Sequence, residues 1–286
     1  MNSLIIGSDS LVGKGLREFF LAKNIKFWQT TRRNASADSI YFDFLKPEWH
    51  WLDEIEPDIA FICVAAVPLA FCEENPEVSR KINVDTTIQL IRRLNQKGTF
   101  VVFFSSSQVF DGNLPMPKEN SLTSPKNNYG KQKATIEKIV QNKKLEACLL
   151  RITKIVSSNL SGNFGHWCES MKNGNVITPA SNMFFAPVTL EQVVEVAVKC
   201  ADKKILGTVH LSASKDISYA DAAIYLAEKL GHNSNLIQPV EVSAKQVPEH
   251  LRQKHTALDT SRLSSELGIE ASTPEDALNY MIKGNV

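Results

Sequence analysis

The sequence contains no apolar run close to the roughly 18–20 residues that a bilayer crossing requires, so no helical membrane span is expected. It has no excess of either charge. Its 32 basic and 31 acidic side chains leave a formal net charge of +1, and no overall field draws it to nucleic acid or acidic membranes. The five cysteines are scattered, at positions 63, 72, 148, 168 and 200, and their number is odd. That speaks against a disulfide framework or a zinc site and for reduced, buried thiols in a cytosolic protein. Repeats and low-complexity stretches are absent, and the N-terminus reads as a strand, not as a basic region leading into a signal helix. What the chain does have is a 43% hydrophobic share in 286 residues. That suffices for one large α/β domain, or for one domain plus a small lobe.

The stretch that organises the rest is Tyr129-Gly130-Lys131-Gln132-Lys133. Residues four apart share a helix face, one turn from each other. An ammonium beside a phenol favours the phenolate and eases movement of its proton. Such a tyrosine can protonate a carbonyl oxygen as hydride arrives from a nicotinamide. Ser105-Ser106-Ser107-Gln108-Val109-Phe110 ends an apolar strand over 100–104, which places the Ser106 hydroxyl at a strand end, where ligands bind in α/β sheets.

Serine, tyrosine and lysine in this order and spacing resemble the catalytic group of the short-chain dehydrogenase/reductase superfamily, in its extended branch. Val109-Phe110-Asp111-Gly112 is similar to a run in the dTDP-4-dehydrorhamnose reductase group. Leu258-Asp259-Thr260-Ser261-Arg262-Leu263 with Leu267-Gly268-Ile269 is similar to that group's C-terminal segment. The resemblance implies a Rossmann-type doubly wound parallel sheet with a smaller C-terminal lobe. Residues 1–156 would form the NAD(P)-binding domain, with a strand and helix from about 186–212. Residues 157–286 would form mainly the substrate-binding lobe.

An apolar run over 3–7 reads as the first buried strand, followed by Gly7-Ser8-Asp9-Ser10-Leu11-Val12-Gly13 and an amphipathic helix through Leu16, Phe19, Phe20 and Leu21. Strand, tight turn and helix is the arrangement that sets a pyrophosphate at a helix N-terminus. The family pattern has a glycine where Ser10 stands. Its side chain either crowds the phosphates or donates to one; the bland reading is a β-turn with a capped helix. A second strand over 25–30 leads to Thr30-Thr31-Arg32-Arg33, with no acid for the ribose hydroxyls. A guanidinium there can clamp a 2′-phosphate, which favours NADP(H) over NAD(H) with Arg32 as the clamp; two solvated arginines are the alternative.

By resemblance, Asp43 and Phe44, at the end of a strand over 40–44, hold the adenine. Ala65 and Ala66, ending a strand over 57–66, lie against the cofactor ribose. Asn83, on a helix over 77–96, supports the site. Thr153, like Tyr129 and Lys133, would contact the cofactor. Ser107 and Gln108 after the serine, and Lys154 where relatives carry an aromatic, would face substrate. A lysine there can meet a carboxylate or phosphate, or it is simply solvated.

Further elements are expected as a helix over 48–55 opened by Pro47, helices over 129–142, 163–173, 190–202, 218–230 and 274–282, and strands over 146–152, 184–189 and 207–211. The functional expectation is an NAD(P)H-dependent reductase of a keto-sugar nucleotide, a small-molecule substrate, with a homodimer left open. Ser107-Gln108 supplies neither the acid pair of the dehydratases nor the cysteine of the epimerase-reductases. A nucleotide-sugar 4-epimerase needs only the triad and is the enzymatic rival. From another class, a non-catalytic NAD(P)-binding regulatory subunit, like that of methionine adenosyltransferase, shares this branch. No metal site is expected.

Overall fold

The computed structural model describes residues 2–33, 38–248 and 251–283. In chain order the strands are β1 (Ser3–Ile6), β2 (Phe27–Thr31), β3 (Ile40–Tyr41), β4 (Ile59–Ile62), β5 (Phe100–Ser106), β6 (Ala147–Ile152), β7 (Lys154–Val156), β8 (Phe184–Phe185), β9 (Pro187–Thr189), β10 (Gly207–Leu211) and β11 (Ile217–Ser218). Seven of them form one sheet in the order β10-β6-β5-β4-β1-β2-β3. The pairs β1–β2, β1–β4, β2–β3 and β4–β5 are parallel. β1 and β4 are buried along their whole length, as expected of strands covered on both faces. The chain leaves β1 toward β2 on one side and returns through β4 on the other, so the strand order reverses at β1. In such sheets the crevice outside the carboxyl ends at that reversal is where ligands bind.

Contacts divide the chain into two compact units. The first comprises Met1–Val109, Thr123–Arg151 and Glu191–Val209. Its core joins Leu4, Ile6, Ala60, Ile62, Val101 and Phe103 of the sheet to Leu90, Ile91, Leu94, Ile136 and Val140 of flanking helices. The second comprises Phe110–Leu122, Ile152–Leu190 and His210–Val286. It holds the small pairings β7–β9 (parallel) and β8–β11 (antiparallel). Its core gathers Phe164, Phe185, Ile217, Leu226, Leu278 and Met281 from the helices Gly162–Lys172, Tyr219–Leu230 and Pro274–Lys283 and adjoining strands.

Several expected elements are shorter than their apolar runs. The strand expected over 40–44 stops at Tyr41 because Asp43 turns the chain, its Oδ1 accepting from Leu45 N at 2.9 Å. The helix expected over 48–55 is a single turn, His50–Asp53; Trp49, Trp51, Phe42 and Phe44 pack as an aromatic group around it. The strand expected over 57–66 ends at Ile62, since the Ala66 backbone bonds to a side chain and not to a neighbouring strand. The long helix expected over 77–96 is three pieces: Pro76–Arg80, a wider π-helical turn over Lys81–Thr86, and Thr87–Gln96. No helix among the described residues is long and apolar enough to cross a membrane.

Candidate active site

Two places at the carboxyl ends of the sheet carry the polar groups. The first is the turn after β1. Gly7 has φ +83°, and a Cβ on it would lie 2.3 Å from Val64 Cγ2. A Cβ on Gly13 would lie 2.2 Å from the Gly7 carbonyl oxygen, so that glycine lets the helix approach the strand. Ser10 is the N-cap of the Leu11–Ala22 helix: its Oγ accepts from Gly13 N at 3.0 Å and donates to Gly7 O at 2.9 Å. The hydroxyl is therefore engaged by its own turn, which corrects the expectation that it is available to a phosphate. Leu11 and Val12, in the first turn, present backbone N–H groups that have no intrahelical acceptor. A pyrophosphate fits this cradle: two N–H donors, a helix N-terminus and two positions where a side chain would collide.

The second place is built on β5 and the Asn128–Asn142 helix. β5 ends at Ser106, and a 3-10 turn, Ser107–Val109, comes next. Asn127 caps the helix through Oδ1, which accepts from Gly130 N at 2.8 Å, and its Nδ2 donates to Gln108 Oε1 at 2.8 Å. A Cβ on Gly130 would stand 2.0 Å from the Gln108 carbonyl oxygen, so only glycine allows the 107–109 turn to seat on the helix. Glu73 receives Asn128 N at 2.6 Å and Asn128 Nδ2 at 2.9 Å, a carboxylate at the favourable end of the helix dipole.

This seating sets the Ser106 hydroxyl near the Tyr129 phenol, close enough to ease its proton loss. Tyr129 is buried, and Gln108 N donates to Ser106 Oγ at 3.2 Å. Lys133 is buried one turn on. Its Nζ donates to Phe104 O at 2.7 Å and lies 4.4 Å from the ring centre of Phe103 and 5.6 Å from that of Tyr129. Burial pulls the lysine down to about 8, opposed chiefly by the carboxylate of Glu137 one turn further along. Burial pushes the Tyr129 phenol up, with Cys72 adding to this and the Ser106 hydroxyl opposing it. Sequence spacing alone has the ammonium easing proton loss. In the structure the ammonium lies over ring faces and bonds a backbone carbonyl, and withdrawal from water dominates the phenol. The result is two neutral hydroxyls side by side, suited to donating toward an incoming oxygen.

A buried network holds this pair. Asn83, in the π-helical turn, accepts from Ala66 N at 2.8 Å through Oδ1; its Nδ2 donates to Ala66 O at 3.0 Å and to Gln132 Oε1 at 2.7 Å. Gln132 Nε2 donates to Ser79 Oγ at 2.8 Å. Asn83 thus ties the Ala65-Ala66 segment to the tyrosine helix. One turn past Lys133 on the same helix, Glu137 Oε2 forms a buried ion pair with Arg151 Nη2 at 2.7 Å, and Ser105 Oγ donates to Glu137 Oε1 at 2.5 Å. Sequence patterns do not single out Gln132, Glu137, Glu73 or Gly130. Asn127-Asn128 before an apolar-periodic stretch is a legible cap signal; nothing local marks the other residues.

The remaining candidates are dispersed. Arg32 is exposed at the end of β2. Phe44 is buried in the core against Phe42, so its ring cannot lie on an adenine; only its backbone is available, and that carbonyl accepts from Thr86 Oγ1 at 2.7 Å. Asp43 is half-buried beside it. Ser107 is buried, and the Gln108 amide is spent on Asn127. In the second unit, Thr153 Oγ1 is buried and has no hydrogen-bond partner among the described residues. Lys154 is exposed, its Nζ 5.8, 5.9 and 5.8 Å from the ring centres of Phe164, Phe185 and Tyr219. No cluster of metal-ligating side chains occurs among the described residues.

A reversing parallel sheet, a glycine turn at the reversal, and a serine, tyrosine and lysine gathered where β5 meets its helix define an extended short-chain dehydrogenase/reductase. Within that superfamily the chain belongs to the family described as RmlD substrate binding domain, which matches residues 1–285. It is 28% identical over 283 residues to dTDP-4-dehydrorhamnose reductase of Escherichia coli K12, covering 93% of this chain and 90% of that protein. It is also 27% identical over 300 residues to methionine adenosyltransferase 2 subunit beta of Mus musculus, covering 95% of this chain and 84% of that protein. In fold it matches the crystal structure of dTDP-4-dehydrorhamnose reductase from Bacillus anthracis in complex with NADP, with a TM-score of 0.87, 18% identity and 98% of each chain covered.

Proposed function

We propose that the chain is an NAD(P)H-dependent reductase acting on a keto-sugar attached to a nucleotide, with NADP(H) favoured over NAD(H). The observation that carries this is the seating of Ser106, at the end of β5, against the helix that bears Tyr129 and Lys133, with the lysine ammonium 5.6 Å from the tyrosine ring centre. The bound dinucleotide supplies hydride. Tyr129 gives its proton to the carbonyl oxygen as charge develops there, and Ser106 donates a hydrogen bond to the same oxygen. Lys133 places a positive charge beneath the tyrosine and holds the ribose of the nicotinamide. Leu11 and Val12 N–H groups receive the pyrophosphate in the turn opened by Gly7 and Gly13, and Arg32 faces a 2′-phosphate. Asp43 and the Phe44 backbone border the adenine, and Ala65 and Ala66 the ribose. The first unit serves the dinucleotide and the second the substrate, where Lys154 meets an acidic substituent beside its three rings. The names of the E. coli and B. anthracis relatives support this reading.

The test is quenching of protein fluorescence by NADPH and NADH, followed by NADPH consumption with a panel of keto-sugar nucleotides. Micromolar binding and turnover of one member are expected; failure to bind either dinucleotide ends the proposal. A second reading, a dinucleotide-binding regulatory subunit without turnover, is favoured by the similarity to methionine adenosyltransferase 2 subunit beta. Binding without consumption of any substrate in the panel would select it.

A further inference from the structure

In dinucleotide folds the acid that reads the adenosine ribose stands at the end of the second strand, about 20 residues past the glycine turn. Here β2 ends in Thr30-Thr31, with Arg32-Arg33 next, so the strand supplies none. A carboxylate nevertheless reaches that place, from the glycine turn itself. Asp9 Oδ2 accepts a hydrogen bond from Thr31 Oγ1. The same Thr31 oxygen accepts from Arg33 N at 3.0 Å, so the hydroxyl is held from both sides. Three further bonds fasten the turn to the strand. Ser8 N and Ser8 Oγ both donate to Thr30 O, at 3.0 and 3.2 Å, and Gly7 N donates to Thr30 Oγ1 at 3.1 Å. Asp9 is half-buried, both arginines are exposed, and no ion pair joins them among the described residues. The carboxylate is therefore fixed in position and its charge is not cancelled.

We infer that Asp9 sets the choice between the two dinucleotides: its carboxylate accepts from a ribose 2′-hydroxyl and repels a 2′-phosphate, working against Arg32. The inference rests on the dinucleotide-binding reading above and adds to it a residue from an unexpected element. A phosphate near pH 7 carries close to two negative charges, so a neighbouring carboxylate disfavours it strongly at partly buried sites, where the effective dielectric is about 20. The wild-type chain consequently favours NADPH over NADH by less than the arginine alone would give.

Dissociation constants for NADPH and NADH, measured by calorimetry on the full chain, decide this without recourse to turnover. Asp9→Asn should tighten NADPH by about tenfold, equivalent to about 1.4 kcal/mol, while NADH weakens slightly. Asp9→Ser, which keeps an acceptor for Thr31, should shift the ratio in the same direction and stands in if the amide variant fails to fold. Arg32→Ala should weaken NADPH and spare NADH. If both Asp9 variants leave the ratio within twofold while Arg32→Ala moves it, the inference is overturned and dinucleotide binding stands. If the wild type binds neither, the underlying reading falls, and the inference with it.

Discussion

The turn after β1 and the helix that carries Tyr129 both hold polar groups at the carboxyl edge of one sheet, by opposite means. At the turn the work falls to backbone and short side chains near solvent: a serine cap, a positive-φ glycine, a threonine hydroxyl. At the helix it falls to long side chains sunk in the core. Asn83, Gln132 and Ser79 form one chain of bonds; Ser105, Glu137 and Arg151 form another. A cap near water can be replaced at small cost because water takes over its partners. A buried group that loses its partner retains the full cost of its own desolvation. The turn can therefore be altered to tune affinity, whereas alterations beneath the helix act on stability first.

The largest effect that would test this contrast comes from Arg151→Leu. It strands the Glu137 carboxylate in the core and should lower unfolding free energy by about 3–5 kcal/mol in a denaturant titration. A change under about 1 kcal/mol would erase the contrast. Next is Tyr129→Phe, which should reduce kcat by at least about 100-fold, near 2.7 kcal/mol, while dinucleotide affinity holds. Retained turnover would move the acid elsewhere.

The lysine provides a pH signature. Its ammonium is lost as pH rises through about 8, so dinucleotide affinity should decline above that value by up to about tenfold per unit, and Lys133→Met should abolish the decline. Stability moves the other way. The unfolded chain holds more protons on this lysine between about 8 and its ordinary 10.5, so on its account stability rises with pH across that window. The smallest effect belongs to Ser10→Gly, expected to alter unfolding free energy by only a few tenths of a kcal/mol, checked by the same titration.

Local signals carry much of the architecture. The helix Leu190–Asp202 and the strand Gly207–Leu211 match their apolar periodicity to the residue, and Gly231 at φ +67° closes its helix where a terminal glycine is expected. Ser106, Tyr129 and Lys133 converge because a strand end and a helix face are themselves periodic features. What periodicity does not encode is a bond between distant segments. Asn83 reaching Ala66 interrupts an otherwise regular helix and frees the end of β4, and neither break has a mark in its own neighbourhood. Asp9 is invisible in the sequence for a related reason: its partner, Thr31, is 22 residues away on another strand. The direction of the Tyr129 shift is also out of reach there, since it depends on how deeply the phenol is buried.

The wide turn at Lys81–Thr86 has a consequence for the length of the chain there. Thr87 Oγ1 donates to Ile82 O at 2.8 Å across it, and the turn accommodates a surplus residue within an otherwise α-helical run. Excising one amino acid would let ordinary winding resume with the two flanking stretches still aligned, but the residues left in the turn would be redistributed around the helix. The amide that clasps Ala66 would then swing off its target. An internal deletion should thus leave a smoother rod and a slackened loop, so the irregularity persists as an aiming device.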